Sequence, residues 1–174
     1  GADEIFAGYD IFRESKIRRF WARQPNSTWR PLLLRKLYPW MKELQKQSSS
    51  YLRAFFHVRE RDTSDPFFSH LPRWQLTSSL KKFYCQETLC ALNGYQAHED
   101  IVLPNKFGEW DYLAQSQYLE LRGLLPGYIL SSQGDRMAMS HGVEGRFPFL
   151  DHRVVDFANK LSSGPTDLGV DGTY

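Results

Sequence analysis

The densest grouping of reactive side chains lies at 132–153, SQGDRMAMSHGVEGRFPFLDHR, where Asp135, Arg136, His141, Glu144 and Arg146 fall among three glycines. Gly134, Gly142 and Gly145 permit backbone conformations closed to other residues. A guanidinium fork matches phosphate oxygens, which makes Arg136 and Arg146 the candidates to clamp a phosphate. A competing reading pairs Glu144 with Arg146 as a structural ion pair and leaves Asp151 as a helix cap. His141, four residues after Met137, fits a core or supporting position better than a catalytic one. Phe147, Pro148, Phe149 and Leu150 then read as an apolar anchor that pins the polar loop.

Other chemistries lack their spacing. The histidines at 57, 70, 98, 141 and 152 include no pair three or four apart, so a metal site borne on one helix is not expected. No Gly-x-x-x-x-Gly-Lys or Gly-x-Ser-x-Gly occurs, so phosphate-loop and hydrolase readings have no local support. Cys85 and Cys90 match neither a zinc nor a Cys-x-x-Cys spacing and point to reduced thiols in a cytosolic, cytoplasmic protein.

The elements that must position these residues are helical. Ile5, Tyr9 and Phe12 recur at helical spacing and predict a helix over 2–23, within which Gly8 costs about 1 kcal/mol relative to Ala and implies close packing against it. Arg13, Lys16, Arg18, Arg19 and Arg23 crowd its second half, suit its dipole and read as a solvated face. A second helix over 31–47 contains Pro39 and should kink or split there. Serines 48, 49 and 50 predict an N-cap for a helix over 51–60, and Asn93-Gly94 should stop one that begins at 77. Further helices are expected over 109–122, with Gly123, Pro126 and Gly127 interrupting the pattern after it, and over 151–161 with Val154, Phe157, Ala158 and Leu161 on one face. No stretch alternates as a strand does. The expected fold is mainly α, an irregular helical bundle over 1–161 with a loop-like tail at 162–174.

The 174 residues suit one domain, and with 15% aromatic residues its core should be built from large rings and leucines. Residues 1–87 hold 16 Lys and Arg against 9 Asp and Glu, whereas 88–174 hold 6 against 11, so the excess runs from +7 to −5. That asymmetry allows a basic face, yet a solvated helix is its commoner cause, and nucleic acid is not the expected partner. No apolar run approaches the ~20 residues of a membrane span. The chain begins with Gly rather than Met, which fits a piece of something larger.

The run GDRMAMSHGVEGRFPFLDHRVVDFANKL resembles the C-terminal part of the synthetase domain of glutamine-dependent asparagine synthetases, with its Asp-Arg, Glu-x-Arg and Pro-Phe-Leu-Asp signatures. The opening GADEIFAGY resembles a second motif of that family, Gly-Glu-Gly-Ala-Asp-Glu-x-Phe-Gly-Gly-Tyr. The resemblance implies a helical subregion of an α/β synthetase domain of the ATP-pyrophosphatase type. It implies Mg-ATP activation of the aspartate side-chain carboxylate as an acyl-adenylate, followed by attack of ammonia delivered from a glutaminase domain. On this mapping Asp3 is associated with Mg2+ and pyrophosphate, and Glu4 lies beside it in the ATP site. Arg136 falls where a basic residue, often Lys, stabilises charge during adenylation, while Glu144, Arg146 and Asp151 give structural support. The departures are a missing Ser-Gly-Gly-x-Asp-Ser loop, no glutaminase domain with its N-terminal Cys, no Gly-Glu before Gly1, and Ala7 where the family usually has Gly. The chain alone is therefore expected to be inactive. A relative that amidates or cyclises another carboxylate is the alternative within the enzyme class, a non-catalytic helical interaction module the alternative outside it, and a homodimer is left open.

Overall fold

The computed structural model describes residues 1–56 and 60–161, and among these the protein is helical with no strand. The tail expected at 162–174 lies outside the described residues, as do residues 57–59 of the helix expected over 51–60, whose described part ends at Phe55. Nine α-helices are described: α1 (Ala2–Ile5), α2 (Asp10–Ala22), α3 (Lys42–Lys46), α4 (Ser49–Phe55), α5 (Leu71–Ser78), α6 (Gln86–Leu92), α7 (Tyr112–Gly123), α8 (Arg136–Ser140) and α9 (His152–Lys160). Short 3-10 turns join several of them, and a π-helix, Leu125–Asp135, leads from α7 into α8.

The helix expected over 2–23 is broken. α1 ends in a turn in which the Gly8 amide reaches back to the Asp3 carbonyl at 2.8 Å while Ala7 takes a left-handed φ of 57°. This closure has the six-to-one bond of the Schellman pattern, whose left-handed position is usually Gly because a Cβ is strained there. Gly8 is needed for space: a Cβ on it would lie 2.2 Å from Asp3 Oδ1. Close packing against Gly8 was expected, and the Asp3 carboxylate provides it.

α2 then runs through the middle of the molecule, packed on the 3-10 turn Arg30–Lys36, on the turn Glu60–Ser64 and on α7. Its Ile17, Trp21 and Ala22 join Leu34, Leu37, Leu52, Phe56 and Phe68 in the main core. The reading of its basic half as solvated fails at Arg18 and Arg19. Arg18 is 3% exposed, donates to the Phe68 carbonyl at 2.9 Å and stands 3.7 Å from Glu14. The Arg19 guanidinium lies over the Tyr112 and Phe68 rings at 3.5 and 4.4 Å and donates to the Thr63 carbonyl. Burial pushes the Glu14 carboxyl up and the Arg18 guanidinium down from their ordinary ranges. The physical reason is a shortage of local donors, since the loops beside α2 present carbonyls that no helix ladder satisfies.

The stretch expected over 31–47 splits at Pro39, as its sequence suggested. Leu37 is extended, Tyr38 is left-handed at φ 53°, and α3 starts afterwards. Asp10 and Glu14 of α2 hold this corner by accepting the Tyr38 amide at 2.9 Å and the Tyr38 hydroxyl at 2.5 Å. Ser48 caps α4 by accepting the Tyr51 amide, and a left-handed Asn93 ends α6. Asp111 caps α7, its Oδ1 accepting the Leu113 and Ala114 amides at 3.0 Å.

The interruption expected at Gly123, Pro126 and Gly127 is instead continued helical winding with a wider ring. The Ile129 amide bonds to the Leu124 carbonyl five residues back, and Pro126 sits in the first turn, where its missing N–H costs little. Side chains follow the same five-residue period: Ser132 Oγ donates to the Gly127 carbonyl and Gln133 Nε2 to the Tyr128 hydroxyl.

On α7, buried Glu120 centres a charge cluster with buried His70 and the partly exposed Arg73. Arg73 donates to Glu120 Oε1 at 2.7 Å, and His70 Nε2 lies 3.5 Å from the same oxygen, at ion-pair distance but without hydrogen-bond geometry. Burial pushes the His70 pKa down despite Glu120; for Glu120 burial pushes upward, but His70 and Arg73 outweigh it and hold the carboxyl low.

Three outcomes test this packing. Ala7→Gly should raise the unfolding free energy by about 1 kcal/mol in urea titrations, because the left-handed strain is relieved. Arg18→Met should lower it by about 3 kcal/mol, since Phe68 O and Glu14 are left buried without their donor. His70 has a depressed folded-state pKa, so the unfolded chain takes up its proton first. Its contribution is complete above about pH 6.5 and is lost as pH falls below that. Urea midpoints measured from pH 7.5 to 5.5 should therefore fall, and His70→Gln should flatten that slope.

Candidate active site

α1 presents its two acids in opposite directions. Asp3 is exposed and folds over Gly8, with no hydrogen bond or ion pair to its carboxylate among the described residues. Glu4 is fully buried, with Oε1 accepting the Tyr9 hydroxyl at 2.8 Å and Oε2 3.0 Å from the Gly1 nitrogen. Burial and the Glu4 hydrogen bond together push the Tyr9 hydroxyl pKa well up. Asp3 can meet a ligand from solvent, whereas Glu4 is already engaged inside the fold.

α1 is seated against later elements of the chain. It packs on α7, on α9 and on the 3-10 turn Pro148–Leu150. Phe6 meets Phe149 edge to face with ring centroids 6.2 Å apart, and a Cβ on Gly1 would strike Leu150 Cδ2 at 2.6 Å. The two sequence motifs, at residues 1–9 and 134–161 of the chain, therefore form one surface. The anchor expected at 147–150 is less buried than its composition suggests: Phe149 is 50% exposed, and its partner is Phe6 rather than the main core. The apolar face of α9 is likewise open at Phe157, among the described residues.

Arg136 opens α8, directly after the π-helix, and α8 packs on that π-helix. Its guanidinium is exposed and makes no hydrogen bond or ion pair among the described residues, and no interaction joins it to Asp3. Gly134 lies under this junction: a Cβ there would approach the Ile129 carbonyl at 3.1 Å and the Phe147 ring at 3.7 Å. Glu144 and Arg146 pair at 2.9 Å on the surface. His141 Nδ1 lies 2.9 Å from both the Met137 carbonyl and Ser140 Oγ on the exposed surface, outside any core. Asp151 caps α9 through the Arg153 amide at 2.9 Å and binds the Arg153 guanidinium at 2.8 Å. The Arg153 hydrogen bonds pull its carboxyl down to about 2.

Several residues that organise this surface carry no motif. Gln117 of α7 donates from Nε2 to the carbonyls of Glu4 at 3.2 Å and Ile5 at 2.6 Å. Tyr9 holds Glu4. The signal in the sequence was the mixture of polar and apolar positions along α7, where Gln115, Ser116 and Glu120 all turn out to be buried. Among the described residues no group of three or more His, Cys, Asp or Glu is placed to hold a metal ion. The donor set therefore does not form a protein cage. A single exposed carboxylate suits Mg2+ that arrives on phosphates, because that ion keeps waters and typically takes one or two protein carboxylates.

The asparagine synthase family model matches residues 1–164. Among curated proteins, a putative glutamine-hydrolysing asparagine synthetase of Mycobacterium bovis is 28% identical, over 94% of this chain and 23% of its own length. The proteins named amidase chry2 of Gibberella zeae and amidase chyE of Penicillium rubens are 24% and 26% identical, each over 92% of this chain and over 24% and 25% of their own lengths. The chain spans about a quarter of the length of the curated relatives it matches. No solved structure matches it significantly, and no helix among the described residues is long and apolar enough to cross a membrane. With nearly its whole length accounted for by one family model, and with both motifs meeting at α1, the chain belongs to the asparagine synthase family.

Proposed function

We propose that the protein carrying this chain is an ATP-dependent amide-forming ligase that activates the aspartate side-chain carboxylate and joins it to ammonia drawn from glutamine. The observation that carries this reading is the docking of the α1 turn, with Asp3 outward, onto the Pro148–Leu150 turn that follows the Arg136 stretch. Mg-ATP supplies the leaving group, converting a carboxylate oxygen into an acyl-adenylate oxygen as pyrophosphate departs. Within the chain, Asp3 would hold the Mg2+, which would supply countercharge to the phosphates. Arg136 offers a guanidinium fork to the charge that develops on the phosphates. Glu4, buried against Tyr9, orients the turn and does not touch the ligand. The Glu144–Arg146 pair and the Asp151 cap hold the loop and α9 in register beside it.

An amidating or cyclising enzyme acting on another carboxylate is the second reading, favoured by the amidases of two fungi matching at almost the same identity as the asparagine synthetases. Carboxylate-dependent exchange of labelled pyrophosphate into ATP by the full-length protein separates the two. Aspartate should support exchange, and asparagine should form when glutamine is added; exchange with a different acid alone assigns the second reading. Asp3→Asn and Arg136→Ala should each lower kcat for exchange about 100-fold, the order seen when a charge-stabilising group is lost. Unfolding midpoints should not move, because both side chains are exposed. Exchange within about threefold of wild type for Arg136→Ala would exclude it from the charge-stabilising role.

A further inference from the structure

Gln117 lies over 110 residues from α1 in the chain, yet it makes two of the contacts that decide where Asp3 stands. The turn after α1 diverts the Gly8 amide to the Asp3 carbonyl. In a continuous helix that amide would bond to the Glu4 carbonyl, and the next amide to the Ile5 carbonyl. Both acceptors are thus stranded by the geometry that folds Asp3 over Gly8. The Gln117 carboxamide brings two N–H donors on one nitrogen and meets both carbonyls. Without those donors, the readiest way to satisfy the two carbonyls is to rewind 6–9 as helix. That rewinding removes the left-handed Ala7 and lifts the Asp3 carboxylate off Gly8.

We infer that Gln117 is a positioning residue for the Mg-pyrophosphate-binding carboxylate Asp3, an inference that rests on the function proposed above. It holds α1 in its non-helical exit through the Glu4 and Ile5 carbonyls, while Tyr9 on Glu4 and Phe149 on Phe6 fix the remaining sides. α7 supplies its own control in Gln115, which also donates two hydrogen bonds from Nε2, to the Phe107 and Trp110 carbonyls at 3.1 and 2.9 Å. The two glutamines share a helix, a chemistry and a bond count; they differ in that only Gln117 bonds to α1.

The test uses the full-length protein and measures magnesium pyrophosphate binding by isothermal titration calorimetry, beside aspartate-dependent exchange and the thermal midpoint. Gln117→Met should weaken magnesium pyrophosphate binding about 10-fold or more, the usual effect of losing a residue that orients a ligating group. Gln117→Lys, which keeps a donor at similar reach, should recover most of that loss. Gln115→Met should lower the midpoint at least as much as Gln117→Met while leaving the affinity within about twofold of wild type. Wild-type affinity in Gln117→Met, or an equal loss of affinity in Gln115→Met, overturns the positioning role while the proposed function stands. Wild-type protein that neither binds magnesium pyrophosphate nor exchanges it with any carboxylate overturns the proposed function, and the inference with it.

Discussion

Main-chain carbonyls without a helical partner are the constraint around which this structure is arranged. A chain built from helices of 4 to 13 residues joined by 3-10 turns has many ends, and each end strands acceptors that burial would make costly. Long side chains meet them. Arg18, Arg19, Arg30, Arg35 and Arg53 donate to the carbonyls of Phe68, Thr63, Phe20, Gln47 and Ser27, and Gln45, Gln115 and Gln117 do the same elsewhere. Planar groups with several donors suit this task, since one side chain can reach an acceptor while its flat face stacks on a ring, as Arg19 and Arg30 do.

The same constraint explains the charge asymmetry of the chain. The basic excess of the first half looks like a surface feature when counted, but a good part of it is committed within the fold, with Arg18 and Arg30 nearly inaccessible. Buried guanidiniums need countercharge or acceptors, and Glu14 and the loop carbonyls supply both around α2. A binding face for polyanions does not follow from such a distribution. What it provides is a packed α2, against which α7 rests.

The candidate site shows how local and distant requirements meet. Ala7 accepts a left-handed conformation, Gly8 leaves room for the Asp3 carboxylate, and Gln117 reaches across from α7 to satisfy the carbonyls that this turn abandons. Asp3 gains an outward carboxylate, unpaired among the described residues; Glu4, one residue later on the same turn, is carried inward to Tyr9. Adjacent acids in one motif thus acquire opposite environments. On the other side, the π-helix widens the path into α8 and carries Arg136 at its end, next to the Gly134 and Phe147 contact.

Features that depend on neighbours in the chain were legible before any coordinates. The Ser48 and Asp151 caps, the Asn93 stop, the split at Pro39 and the mainly helical class all follow from short-range sterics and side-chain-to-backbone hydrogen bonds. The two motifs were legible as well, because they are contiguous strings of residue types. The break at Ala7 was not, since the apolar period of Ile5, Tyr9 and Phe12 passes straight through it and the left-handed turn is held by a glutamine on another helix. Nor were the inward turn of Glu4, the burial of Arg18 or the π-helical continuation past Pro126. Sequence alone determined which short segments wind and where they stop, through energies set within a few residues. Tertiary structure decided which acid faces solvent and which cations are buried, because an acceptor stranded in one segment can be satisfied only by a donor that the fold brings to it.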